Sequence, residues 1–160
     1  MKIIFLDIDG VLCTDRSHMA YKGPRSSYMQ HLDPVGVKLV ESLQEETGAE
    51  IVISSSWSEF HDMQSMLAIL MNAGFSFPNF HNNWKTIKNH KYSNRGEEIA
   101  MWEKMHGTPE SYVIIDDDDR LLERQKPYWI ECNMNDGLSY AGYKKALKIL
   151  LGVNKSEAIL

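Results

Sequence analysis

An α/β fold, with a parallel sheet as its middle layer and helices on both faces, is predicted by three features of the sequence. Short runs rich in Ile and Val, at Ile3–Leu6, Ala49–Ile53 and Tyr112–Ile115, read as strands buried on both faces. Between them lie segments with capping residues and apolar side chains at three- and four-residue spacing, which predicts right-handed helical crossovers between parallel strands. Each run also stops at polar residues capable of chemistry: Asp7 and Asp9, Ser54 to Ser58, and Asp116 to Asp119. Open α/β sheets bind ligands beyond the carboxyl ends of their strands, so these clusters are expected to converge.

Taken in order, the first strand closes at Asp7-Ile8-Asp9-Gly10. Carboxylates at i and i+2 just past a strand end can reach one site. Anions that close disfavour each other unless a cation or a proton intervenes. The pair therefore points to a Mg²⁺-type ion held by hard oxygens, with one carboxylate free as nucleophile and the other able to carry a proton. Gly10 permits a sharp exit and lets main-chain N–H groups approach phosphate. Residues 13–32, with Gly23-Pro24 and several Ser, Tyr and Arg, read as a long loop or flap. Asp33 and Pro34 supply the N-cap and first-turn proline of a helix through Val37, Val40, Leu43 and Glu46, stopped by Gly48.

After the second strand, Ser58 is expected to cap a helix with Met63, Met66, Leu67, Leu70 and Met71 inward, closed by Gly74. A short strand broken by Pro78 is expected over 75–80. A basic loop follows, carrying Lys85, Lys88, Lys91 and Arg95 without an acid. Asn94 and Glu97 have capping-box spacing, opening a helix with Ile99, Trp102 and Met105 inward and ending at Gly107. The third run and its acids come next, then a strand over 128–132. Ser139 starts a last helix with Tyr143, Ala146, Leu147 and Leu150 inward. Residues 1–152 are expected to form one domain, and 153–160 a frayed tail.

The length of 160 residues suits a single sizeable core. No apolar run approaches a membrane span and no signal peptide is expected, so the protein is expected to be cytoplasmic, with Cys13 and Cys132 as reduced thiols. The net charge of −5 argues against broad nucleic-acid affinity, although a local basic strip still attracts phosphate. None of the six histidines has ligand spacing, and no zinc site is expected.

With these residues in this order, the sequence closely resembles the haloacid dehalogenase (HAD) superfamily of aspartate-nucleophile phosphohydrolases. FLDIDGVL, from Phe5 to Leu12, is similar to that family's first motif and IVISSS, from Ile51 to Ser56, to its second. The Arg95 region is similar to the third motif and VIIDDDD, from Val113 to Asp119, to the fourth. The likeness spans residues 1 to about 150 and is strongest to small HAD phosphatase domains associated with nucleic-acid repair. The 3′-phosphatase half of polynucleotide kinase is a more distant likeness. The resemblance implies a three-layer Rossmann-like fold with no or minimal cap, since neither 13–32 nor 75–93 has room for an inserted domain.

It further implies that Asp7 attacks phosphorus, while Asp9 protonates the leaving oxygen and then activates water. Mg²⁺ would sit between Asp7, the main-chain carbonyl of Asp9 and Asp116, with Asp117 binding directly or through water. A serine hydroxyl would donate to phosphate, from Ser54 first and Ser55 as its rival. Arg95 would supply the fixed positive charge for which the family more commonly uses lysine, with Lys91 a second candidate. Asp118 and Asp119 are expected to be peripheral. Trp57 and Trp84 either stack on a base or sugar or cover the sheet edge.

The expected function is a Mg²⁺-dependent phosphomonoester hydrolase acting on nucleotide or nucleic-acid end phosphates. An uncapped site is open to a polymer end, with Arg16, Lys22, Arg25 and the 85–95 strip near its flanking phosphates. A small-metabolite phosphatase or phosphotransferase is the alternative, and a receiver-like, phosphate-accepting regulatory domain is the alternative of another class. Asp9, a built-in proton carrier on the first strand, favours turnover over the receiver reading. The expected partner is a phosphorylated substrate and not a membrane; the sequence leaves the oligomeric state open.

Overall fold

In the computed structural model, described here for residues 1–23, 31–88 and 94–153, five strands pair in parallel. They are β1 (Lys2–Leu6), β2 (Glu50–Ile53), β3 (Phe80–Lys85), β4 (Ser111–Asp116) and β5 (Trp129–Glu131). Their order is β3-β2-β1-β4-β5, so β1 is central and the sheet is open. Leu6 lies opposite Ile53 of β2 and Ile115 of β4. The register thus makes Asp7, Ser54 and Asp116 leave the sheet side by side, and two ladder bonds carry it past the strand ends. Asp7 N–H donates to the Ile115 carbonyl at 3.0 Å, and Ser54 N–H to the Leu6 carbonyl at 2.9 Å.

The central strands carry unbroken apolar runs, Ile3–Leu6, Ile51–Ile53 and Tyr112–Ile115, because each buries both of its faces. Ile4, Leu6, Ile51, Ile53, Val113 and Ile115 face one core. Packed on that side are the helices α2 (Pro34–Thr47), α4 (Met63–Asn72) and α6 (Tyr140–Leu151), contributing among others Val37, Met66 and Leu150. Ile3, Phe5, Val52 and Ile114 face the other way, against Ile99 and Trp102 of α5 (Arg95–His106). There the Phe5 ring meets Trp102 edge-on at 5.3 Å and Tyr112 at 5.8 Å, an arrangement aromatic quadrupoles favour. Two shorter helices, α1 (Asp15–Ala20) and α3 (Trp57–Phe60), lie in the loops after β1 and β2. The three-layer expectation holds, with three of the long helices on one face and α5 on the other.

Several local expectations are corrected. The third strand is at Phe80–Lys85, not 75–80, so Pro78 precedes it and part of the expected basic loop is sheet. As an edge strand it pairs only with β2 and needs no continuous apolar run. Ser58 lies inside α3 with its hydroxyl on the Ser55 carbonyl, and Asp62 caps α4 through the Ser65 N–H. Met63, Met71 and Met105 are exposed, while Ile69 takes a place in the core. The flap contains α1, capped by a Thr14–Ser17 capping box. Predicted caps Asp33, Asn94 and Ser139 do accept backbone N–H bonds, each a contribution of about 1 kcal/mol. Residues 24–30, 89–93 and 154–160, which include Arg25 and Lys91 and most of the expected tail, lie outside the described residues. Among the described residues no helix is long and apolar enough to cross a membrane.

Candidate active site

Asp7, Asp116 and Asp117 bring carboxylate oxygens within 4.8 Å of one another, although more than a hundred residues of chain separate the first from the others. Asp7 and Asp116 are buried; Asp117 is exposed. Burial, together with the negative charge of Asp116, pushes Asp7 up to about 8, against the opposing pull of Arg95, the Ile8 N–H and the Ser55 hydroxyl. Burial likewise raises Asp116 and Asp117. The cluster is an all-oxygen donor set short of positive charge, the chemistry that suits a hard divalent cation.

Arg95 is the described cation nearest to this charge. Its Nε donates to Asp116 Oδ2 at 2.6 Å, and its terminal nitrogens lie 3.4 Å from Asp7 and 3.3 Å from Glu98. Burial works against the guanidinium charge, but Asp116, Asp7 and Glu98 outweigh it and hold Arg95 firmly protonated. Its position is built locally. Asn94 and Glu97 close a capping box at the start of α5, and Gly96 N–H donates to the Arg120 carbonyl at 3.0 Å. A Cβ on Gly96 would fall 2.7 Å from Leu122 N, so only glycine lets α5 sit this close to the loop after β4. The buried Gln125 bridges the two segments, accepting from Leu122 N–H and donating to the Gly96 carbonyl. Sequence reasoning missed Gly96 and Gln125; the glycine directly after the candidate arginine was the available signal.

Gly10 has φ +74, and a Cβ there would lie 2.2 Å from Asp117 Oδ2. Its bareness makes room for the third carboxylate, a role distinct from the expected backbone approach to phosphate. Of the two candidate serines, Ser55 is the one whose hydroxyl lies beside Asp7 and opposes the upward push of burial there. The Ser54 hydroxyl is buried and has no hydrogen-bond partner among the described residues. Asp9 is half-buried, and its Oδ2 accepts the Trp57 indole N–H at 3.0 Å. Trp57 itself is only 9% exposed, which leaves little ring surface for stacking on a base. Trp84 is partly buried against Phe80, 5.9 Å between centroids, so it covers the sheet edge.

A cavity of about 210 Å³ adjoins the site, lined by Ser55, Ser58, Glu59, Lys85, Lys88 and Glu98 among others. Its lysines are engaged: Lys85 donates to the Ser58 carbonyl at 3.0 Å and Lys88 pairs with Glu59 at 2.8 Å. Arg16 pairs with Asp33, and Asp118 with Arg120, which holds Asp118 below the usual carboxylate range. The Asp118 carboxylate thus faces Arg120, while its backbone N–H donates to Asp116 Oδ1 at 2.9 Å. Both cysteines are free and buried, and burial pushes Cys13 up to about 11 and Cys132 up to about 12. Protonated thiols of this kind are poor nucleophiles.

The sequence matches, over residues 3–142, the family described as the HAD domain in Swiss Army Knife RNA repair proteins. No curated protein and no solved structure matches it.

Proposed function

The chain belongs to the HAD domains of Swiss Army Knife RNA repair proteins, a family that supports a phosphatase of the HAD type, and from that membership we propose a Mg²⁺-dependent phosphomonoester hydrolase acting through an aspartyl phosphate. Its substrates are nucleotide or nucleic-acid end phosphates. The observation that carries this reading is the meeting of Asp7, Asp116 and Asp117 within 4.8 Å, balanced by a single nearby arginine.

In this reading Asp7 attacks phosphorus, and the bond from phosphorus to the ester oxygen breaks as the bond to the carboxylate forms. Asp9 gives its proton to the departing oxygen. It then takes a proton from the water that attacks the aspartyl phosphate, releasing inorganic phosphate and restoring Asp7. The Ser55 hydroxyl and the Arg95 guanidinium hold the phosphoryl oxygens. One fixed donor of this kind is worth about 3 kcal/mol of transition-state stabilisation. Asp7, Asp116 and Asp117, with the Asp9 carbonyl, would hold Mg²⁺, which when bound supplies neutralising charge to the phosphate and to Asp7.

Polymer ends are favoured by the family's description as RNA repair proteins. The test compares a 3′-phosphorylated oligonucleotide with the matching mononucleotide. We expect higher kcat/KM for the oligonucleotide, with the advantage shrinking as salt rises. Equal values at low salt would assign the activity to small phosphoesters instead. No hydrolysis of any phosphomonoester with Mg²⁺ present would overturn the enzyme reading.

A further inference from the structure

We propose that Trp57 is a positioning residue that orients the proton carrier Asp9 within the site. The inference rests on the reading of Asp7 and Asp9 given above. Trp57 opens α3, directly after the serine run, and is packed into the main core. It makes two bonds toward the site. Its indole N–H donates to Asp9 Oδ2 at 3.0 Å, and its backbone N–H donates to Ser55 Oγ at 3.3 Å. The Ser55 hydroxyl lies beside Asp7, where it opposes the upward push of burial on that carboxyl. One residue of the β2 loop therefore holds the Asp9 carboxylate and the Ser55 side chain beside Asp7.

The indole bond also decides which oxygen of Asp9 does the work. An indole N–H only donates, so Oδ2 is kept as an acceptor and the transferable proton is left to Oδ1. A free carboxyl would lose this choice by rotating about its terminal torsion, which is broad and soft. Asp9 is half-buried, and among the described residues the Trp57 indole is the side-chain donor to its carboxylate. Base stacking, one of the two roles the sequence leaves open for Trp57, competes with this one. A ring 9% exposed whose N–H is already engaged fits the clamp better.

The test uses Trp57→Phe, which keeps an aromatic ring in the core and removes the indole N–H. A benzothienyl-alanine at the same position, isosteric with tryptophan, serves if phenylalanine prevents folding. The quantity read is kcat/KM, which reports steps up to departure of the leaving group, on two esters. An alkyl phosphate needs a proton at its poor leaving oxygen; a nitrophenyl phosphate does not. We expect kcat/KM on the alkyl ester to fall by about 10- to 100-fold, and on the aryl ester by less than about threefold. Equal losses on both would mean that Trp57 only supports the core, and unchanged values on both would mean that the bond is idle; either result overturns the proposal. Asp9→Asn is measured alongside. If Asp9→Asn lacks the alkyl-over-aryl bias, the acid–base reading itself fails, and the role of Trp57 with it. If Asp9→Asn shows the bias and the Trp57 variants do not, only the role of Trp57 falls.

Discussion

Glu41 and Asp7 are carboxylates with almost no exposure, 1% and 5%, yet the protein treats them in opposite ways. Glu41, on α2, is bonded to Lys38 and accepts the Ser76 N–H at 2.7 Å. The Lys38 bond leads in holding it below the usual carboxylate range. Asp7 shares Arg95 with Asp116 and Glu98, and burial with its acidic neighbour pushes it up to about 8. A carboxylate buried for structure comes with its own donors. One buried for chemistry is left short of positive charge, and the shortage is what a divalent cation and a phosphoryl group would both use.

Substitutions at the two positions should separate activity from stability. The largest effect is expected for Asp7→Asn, which should cut phosphomonoester turnover on the order of 10⁴-fold or more. The same variant should melt at a higher temperature than wild type at about pH 8 without metal, because it deletes an uncompensated buried charge. A lower Tm there would contradict the contrast with Glu41. Glu41→Gln should do the reverse. It is expected to cost about 1–3 kcal/mol in denaturant unfolding, since the Lys38 and Ser76 donors lose their charged acceptor, while kcat/KM stays within about twofold. A loss of activity without a loss of stability would place Glu41 in the wrong category.

The most graded effect is in pH. In metal-free protein, Asp7 binds its proton more tightly folded than unfolded, where 3.8 is the ordinary value. Its contribution is full below that value and is lost as pH rises through about 8. Glu41 has the opposite sign: its contribution is present above 4.5 and is lost only as pH falls through its lower folded value. Tm of the metal-free protein should therefore decline between about pH 5 and about pH 8, and Mg²⁺ should flatten the decline. A Tm that rises steadily over this window would remove the site as its cause.

The same contrast explains what could be read from the sequence. β1, β2 and β4 bury both faces, so Ile3–Leu6 and its counterparts announced themselves, and the polar residues one step beyond followed from register. Caps such as Asn94 are local and were legible for the same reason. The edge strand β3 was misplaced because a chain bonded on one side alone needs no apolar run. α1 was hidden in a polar segment whose Thr14 cap has no apolar stripe behind it. At the site, Asp7 and Asp116 were visible as strand ends, but the choice between Ser54 and Ser55 depends on how the chain turns after Ile53. The bond from Trp57 to Asp9 joins residues 48 apart, and nothing in local spacing encodes a contact of that kind. Gly96 and the Gln125 amide serve Arg95 through contacts across the gap between α5 and the loop after β4, which pattern reading does not reach.

Acids at the carboxyl ends of the neighbouring strands β1 and β4 are expected to share one divalent ion. Calorimetric titration of Mg²⁺ into wild type, Asp7→Asn and Asp116→Asn at about pH 7.5 tests it most directly. One site is expected in the wild type, weakened by about tenfold or more in each variant. Unchanged Mg²⁺ affinity in either variant would contradict the account.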